Sequence, residues 1–227
     1  MKRVPNRRRW GILLIGGLLL GLAMGGTTTL RAQSKPTIAI FPFLVERGED
    51  PAREAVCPLC GGAYRRGSIQ AGSGNKLTRL LYEKIGVLGI FEVTPAKKVE
   101  EGLSSIPWKE WETRPLSMGL KLAKELEANF LLFGYLYRFE ERVGASIGVE
   151  KPASVGFDLH LQRVRDGRIV WTAKFDETQR PLSENLLRLG AFLRRGASWA
   201  KAEELASVGM DEALRTLPSL EELEGRR

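Results

Sequence analysis

The stretch VGFDLHLQRVRDGRIVWTAKFD, residues 155–176, decides the fold class. Val155, Phe157, Leu159 and Leu161 alternate with Gly156, Asp158, His160 and Gln162. Ile169, Trp171, Ala173 and Phe175 alternate in the same way with Val170, Thr172, Lys174 and Asp176. A period of two belongs to β-strands, so two strands are joined through Arg165-Asp166-Gly167-Arg168. A two-residue Asp166-Gly167 turn would set Leu161 against Thr172 and Leu159 against Lys174, apolar against polar. A three-residue loop, Arg165 to Gly167, sets Leu161 against Trp171, Leu159 against Ala173 and Phe157 against Phe175. The pattern predicts the second register, with a type I turn and Gly167 in the left-handed region.

Upstream of this hairpin, Asn129 to Phe139 (NFLLFGYLYRF) is apolar at nearly every residue, as a strand covered on both faces must be. Thr37 to Val45 (TIAIFPFLV) reads as another buried strand, and Pro42 should end or bulge its ladder. Glu46 to Asn75 holds Gly, Pro, Arg and both cysteines and reads as a long ordered loop, a length that often serves function. Leu77, Leu80, Leu81, Ile85 and Leu88 form one helical stripe, closed by Gly86 and Gly89. Ile90 to Val93 is a short strand. Thr94 followed by Pro95 signals the start of a second helix carrying Val99 and Leu103, and Pro115 opens a third with Leu116, Leu120, Ala123 and Leu126. Downstream, Ser183 to Leu193 and Trp199 to Leu217 read as helices, and Ser219 to Arg227 as a disordered polar tail. The order predicts an α/β fold with a mixed sheet: a parallel β-α-β-α-β part, then an antiparallel hairpin, with helices packed on the sheet in a three-layer arrangement.

The first thirty-two residues have another character. Lys2, Arg3, Arg7, Arg8 and Arg9 precede the uncharged run Gly11 to Met24, and small and polar residues lead to Ala32. That is the order of a secretory signal peptide, and the run is short for a spanning helix. Expected bounds are 1–32 for the signal, cleaved or kept as an anchor, 33–218 for one domain and 219–227 for the tail. No Cys follows the apolar run, so no lipid attachment point is visible; the first is Cys57. The chain is formally +8, but residues 1–32 hold six of its 35 Lys and Arg and no acid. The remainder sets 29 basic residues against 27 acidic ones, which excludes a basic nucleic-acid footprint.

The segments IAIFPF (38–43), FEVTP (91–95), AKELEANFLLFGYLYRF (123–139) and DLHLQRVRDGRIVWTAKFDET (158–178) fall in an order that resembles the periplasmic domain of curli-secretion lipoproteins. Penicillin-binding-protein activator lipoproteins and the N-terminal domain of the translocation protein TolB share that fold. The resemblance spans about Thr37 to Thr178. It implies an extracytoplasmic, non-enzymatic accessory protein of envelope assembly or secretion, working through an envelope protein partner, with homo-oligomer formation a further expectation. The segment Gly144 to Pro152 is too short for the barrel hairpins of a curli-type pore. No catalytic residue carries over.

Cys57-Pro58-Leu59-Cys60 is the sharpest local feature. Three readings stand: a disulfide stapling the loop, which is preferred for an exported protein; a metal site, zinc by its thiolates, completed across a homodimer; and a redox pair. A thioredoxin-like pair sits where a strand becomes a helix, whereas Gly61-Gly62 follows Cys60 here. His160, the one histidine, lies on the polar face of its strand, where exposure or a simple hydrogen bond is the ordinary fate. Gly72 to Thr78 lacks phosphate-loop spacing because Asn75 separates Gly74 from Lys76. Glu140-Glu141 and Asp176-Glu177 read as solvated charge. Trp108, Trp111 and Trp199 are candidates for a partner surface, with burial the plainer alternative.

Overall fold

The computed structural model describes residues 34–48, 50, 53–144, 149–179 and 200–225. The signal segment, the Ser183 to Leu193 helix and Trp199 lie outside these residues. The described residues form one compact unit.

The central sheet orders Ile169–Thr178 (β10), Ser154–Arg163 (β9), Phe130–Glu140 (β6), Thr37–Ile40 (β1) and Glu92–Val93 (β5), and Val143–Gly144 (β7) pairs with Val149–Lys151 (β8) in a separate hairpin. Strand β1 (Thr37–Ile40) pairs parallel with β5 (Glu92–Val93) on one side and with β6 (Phe130–Glu140) on the other. β6 pairs antiparallel with β9 (Ser154–Arg163), and β9 with β10 (Ile169–Thr178). The mixed sheet expected from the sequence is the one observed. β6 is buried along all but its last residue, as its unbroken apolar run requires.

Pro42 acts as predicted. β1 ends at Ile40, opposite Leu132; the chain then resumes pairing at β2 (Leu44–Val45), with Leu44 opposite Tyr135. Four residue steps on one strand face three on the other, which is a bulge. The hairpin body also has its predicted register, Leu161 with Trp171, Leu159 with Ala173 and Phe157 with Phe175. Its tip differs. The Arg163 amide donates to the Arg168 carbonyl (2.8 Å), and Ile169 faces Gln162. Four residues, Val164 to Gly167, therefore form the loop, and an irregularity between Ile169 and Trp171 restores the register. Gly167 is left-handed, with φ 69°.

Helices cover both faces. On the first lie α1 (Ser73–Leu88), α5 (Ala202–Leu214) and α6 (Leu220–Glu224). Leu77, Leu81 and Ile85 of α1 pack with Ile38 and Ile40, and Met210 of α5 with Phe157 and Phe175. Each such fully buried side chain stabilises the fold by about 1.5–3 kcal/mol over an exposed one. On the second face lie α2 (Ala96–Ser104), α3 (Trp108–Thr113) and α4 (Pro115–Glu125). Ala39 and Phe41, displaced by one residue from the first set, point to this side with Leu131, Phe133 and Leu122. Thr94 does not cap α2: Pro95 holds that place, and the Thr94 amide extends the pairing by donating to Ile38 O at 2.9 Å.

The predicted disordered tail is corrected by α6. Ser219 and Glu222 form a reciprocal capping box. Leu223 is buried, and the guanidinium groups of Arg163 and Arg165 donate to the Leu223 and Glu224 carbonyls. Two arginines of the hairpin tip, remote in sequence, thus satisfy the carbonyls at the end of this short helix.

Candidate functional site

The loop from Glu46 to Gly72 is built onto the second face. Arg66 ties it together by donating to Glu46, the Asp50 carbonyl and the Glu54 carbonyl. Its return leg lies along β6: the Gly67 amide donates to Tyr137 O, and Ser68 O accepts from the Phe139 amide. Arg138, almost fully buried, pairs with Asp176 and donates to the Arg65 carbonyl at 3.1 Å. Within the loop a small hairpin forms from β3 (Ala55–Val56) and β4 (Ala63–Tyr64), with Ala55 opposite Tyr64. Its tip is Cys57 to Gly62, closed by Cys57 N to Gly62 O and Gly61 N to Cys57 O, both 2.9 Å. Gly61 takes φ 73°, which favours glycine there.

This hairpin lays Cys57 and Cys60 on the polar side of β9. Asp158 and His160 stand two residues apart on that strand and therefore on one face. They are 2% and 1% exposed, not solvated. Cys57 is equally buried, and Cys60 is at the rim. One donor atom from each residue lies within 4.8 Å of every other. Cys57 Sγ is 3.5 Å from His160 Nε2 and 3.9 Å from Asp158 Oδ1. Cys60 Sγ is 4.0 Å from Asp158 Oδ2, which is 3.1 Å from His160 Nε2. The Leu59 amide donates to Cys57 Sγ and the Gly62 amide to Cys60 Sγ, each at 3.4 Å.

Three chemistries can be weighed on these atoms. A cysteine-histidine-aspartate relay needs the sulfur on one imidazole nitrogen and the carboxylate on the other. Here both face Nε2, and Nδ1 is buried with no partner among the described residues. The donors converge on a point instead of forming a chain. A redox pair needs an accessible, readily ionised thiol. Burial first, and then the Asp158 carboxylate, push the Cys57 thiol well above its ordinary 9. Four convergent S, S, N and O donors are what a metal ion takes. The two cysteines are separate thiols in this arrangement. His160, expected to be exposed or simply hydrogen-bonded, and Asp158, not singled out in the sequence, both join the pair.

Beside the hairpin runs a groove of about 460 Å³. The bulged segment Pro42 to Arg47 forms one wall, Val56 and Pro58 a second, and Leu103, Ile106 and Trp111 the third, with Tyr135 also lining it. Trp111 is 7% exposed and packs on Phe41 and Phe133, so it is chiefly a core residue. Glu46, the acid of the groove, accepts from the Tyr135 hydroxyl, the Gly48 amide and Arg66. Burial pushes its carboxyl up, but these partners together hold it below its ordinary 4.5.

No family model matches the chain, and no curated protein matches it. Solved structures do. The chain is similar to the PelC dodecamer from Paraburkholderia phytofirmans, at 14% identity over 80% of this chain and 85% of that one, TM-score 0.45. It is similar to the LpoB C-terminal domain from Salmonella enterica, at 14% identity over 66% and 87%, TM-score 0.40. A third is lipoprotein GNA1162 from Neisseria meningitidis, at 15% identity over 71% and 98%, TM-score 0.39. Similarity at this level says nothing of activity. Among the described residues, no helix is long and apolar enough to cross a membrane.

Proposed function

We propose that this is an exported, non-enzymatic binding module of the cell envelope, which docks an extended apolar segment of a partner protein in the groove beside the cysteine hairpin. The single observation that carries it is the groove's lining. Pro, Val, Leu, Ile and Trp side chains dominate it, Val56 stands 59% exposed at its edge, and its one carboxylate is already engaged. Such a surface recognises by apolar contact. The basic segment and apolar run at residues 2–24 support placement outside the cytoplasm. A redox role for Cys57 and Cys60 is the competing reading, and the burial of Cys57 weighs against it.

The test is site-specific photocrosslinking in intact cells. A crosslinker at Val56 should capture one discrete envelope protein. The same group at Val87, 86% exposed on α1 and so on the other face, should not. Equal capture from both positions, or recovery of the native product from the cytosol, would overturn the proposal.

A further inference from the structure

The geometry points to a zinc site within one chain, in which Cys57, Cys60, Asp158 and His160 supply all four ligands. It shares the hairpin with the groove but uses none of the groove's lining residues, and it does not depend on what the groove binds.

The donor set comes first. Two sulfurs, an imidazole and a carboxylate form a mixed soft and borderline set, which suits zinc and not magnesium or calcium. The spacing agrees. With Zn–S near 2.3 Å and Zn–N or Zn–O near 2.0 Å, a tetrahedron puts sulfur about 3.5 Å from its nitrogen or oxygen neighbours and nitrogen about 3.3 Å from oxygen. Cys57 Sγ is 3.5 Å from His160 Nε2 and 3.9 Å from Asp158 Oδ1, while Asp158 Oδ2 is 4.0 Å from Cys60 Sγ and 3.1 Å from His160 Nε2. These four distances lie within about 0.5 Å of the tetrahedral values, and with all four donors within 4.8 Å of one another, closing them on a single carboxylate oxygen asks for a small shift that the rim residue Cys60 supplies.

A second, independent observation concerns the surroundings. Each sulfur accepts a backbone N–H, from Leu59 and Gly62. Such bonds orient the sulfur lone pairs that a metal uses. The Tyr64 hydroxyl stands 3.6 Å from Cys60 Sγ, and its ring stacks on Tyr137 with centroids 4.5 Å apart, so β4 braces the exposed ligand. On binding, the ion displaces the two thiol protons to solvent, Asp158 binds as carboxylate and His160 as neutral imidazole. Four protein ligands leave no open coordination position, which marks a structural and not a catalytic centre. Its effect is to pin the Ala55 to Tyr64 hairpin onto β9.

Cys60 is the residue to test, since its exposed side chain leaves folding least affected. The full chain, purified in reducing buffer with zinc, should carry one zinc per chain. Cobalt substitution should give the visible absorption of a tetrahedral thiolate site. Cys60→Ser should keep its circular dichroism spectrum, lose the sulfur-to-cobalt absorption, and bind zinc weaker by more than about 100-fold, the upper end for losing even an outer partner of a ligand. His160→Gln, under the same measurements, should lose the metal and keep both thiols titratable. A metal-free protein with two reactive thiols, a Cys57–Cys60 disulfide formed under these conditions, or unchanged zinc content in Cys60→Ser would each overturn the proposal.

Discussion

Gly167 shows what one residue fixes. Its φ of 69° is open to glycine, while a β-branched side chain there meets its own backbone and sits 3.1 Å from Leu120 Cδ2. Gly167→Val should therefore destabilise the protein by about 1–2 kcal/mol in urea unfolding. Neighbouring Asp166 is held down at about 2, first by the hydrogen bond from Arg163, so that corner stays charged across ordinary pH. Glu46 gives the testable pH dependence. Its carboxyl lies lower in the folded chain than its ordinary 4.5, so its contribution is complete above that value and is lost as pH falls through the folded one. Thermal melts between about pH 6 and pH 3 should show the native chain losing more stability than Glu46→Gln, and parallel curves would refute this.

At the scale of elements, close approach decides several contacts that propensity leaves open. Gly134 of β6 lies under the Phe43 ring, where an added Cβ would stand 2.3 Å from ring carbons. Phe43 sits in the bulge that Pro42 creates, so strand and bulge are fitted through a missing side chain. Gly134→Ala should cost about 1–3 kcal/mol by overpacking, read as a lower urea midpoint with an unchanged slope. The terminal helix makes the complementary case. Leu223 is 1% exposed, and Leu223→Ala should cost about 2 kcal/mol, the low end for a buried leucine because a terminal helix can relax. An unaltered melting temperature would mean the helix is not docked in solution. From sequence, Ser219 to Arg227 reads as a polar tail because Leu220 and Leu223 are its only two apolar side chains; their i, i+3 spacing and the capping box Ser219-x-x-Glu222 are the signals that mark the helix.

Across the whole molecule the layers determine what the loop can do. The bond from Arg138 to the Arg65 carbonyl, the bond from the Tyr135 hydroxyl to Glu46, and the pairing of 67–70 with β6 hold the loop on the sheet. That placement builds both the groove wall and the four-donor cluster. Metal removal by a chelator should make the Ala55 to Tyr64 hairpin sensitive to protease while the amides of β9 remain protected from exchange. Cleavage rates unchanged by chelation would show that the hairpin is held by its backbone bonds alone.

The amino-acid sequence by itself determined the order of the main sheet strands and of α1, α2 and α4, the buried central strand, the bulge at Pro42 and the register of the late hairpin's body. Each depends on a period of two or on one backbone-restricting residue within a few positions of the chain, and local sterics and alternation express both directly. Only the tertiary structure decided that Asp158 and His160 are buried and meet Cys57 and Cys60, about a hundred positions away. Alternation placed the two polar residues on one face, but no local pattern says which element will cover that face. The covering loop has no period, and its place is set by long-range hydrogen bonds to β6 that exist only once the sheet has formed.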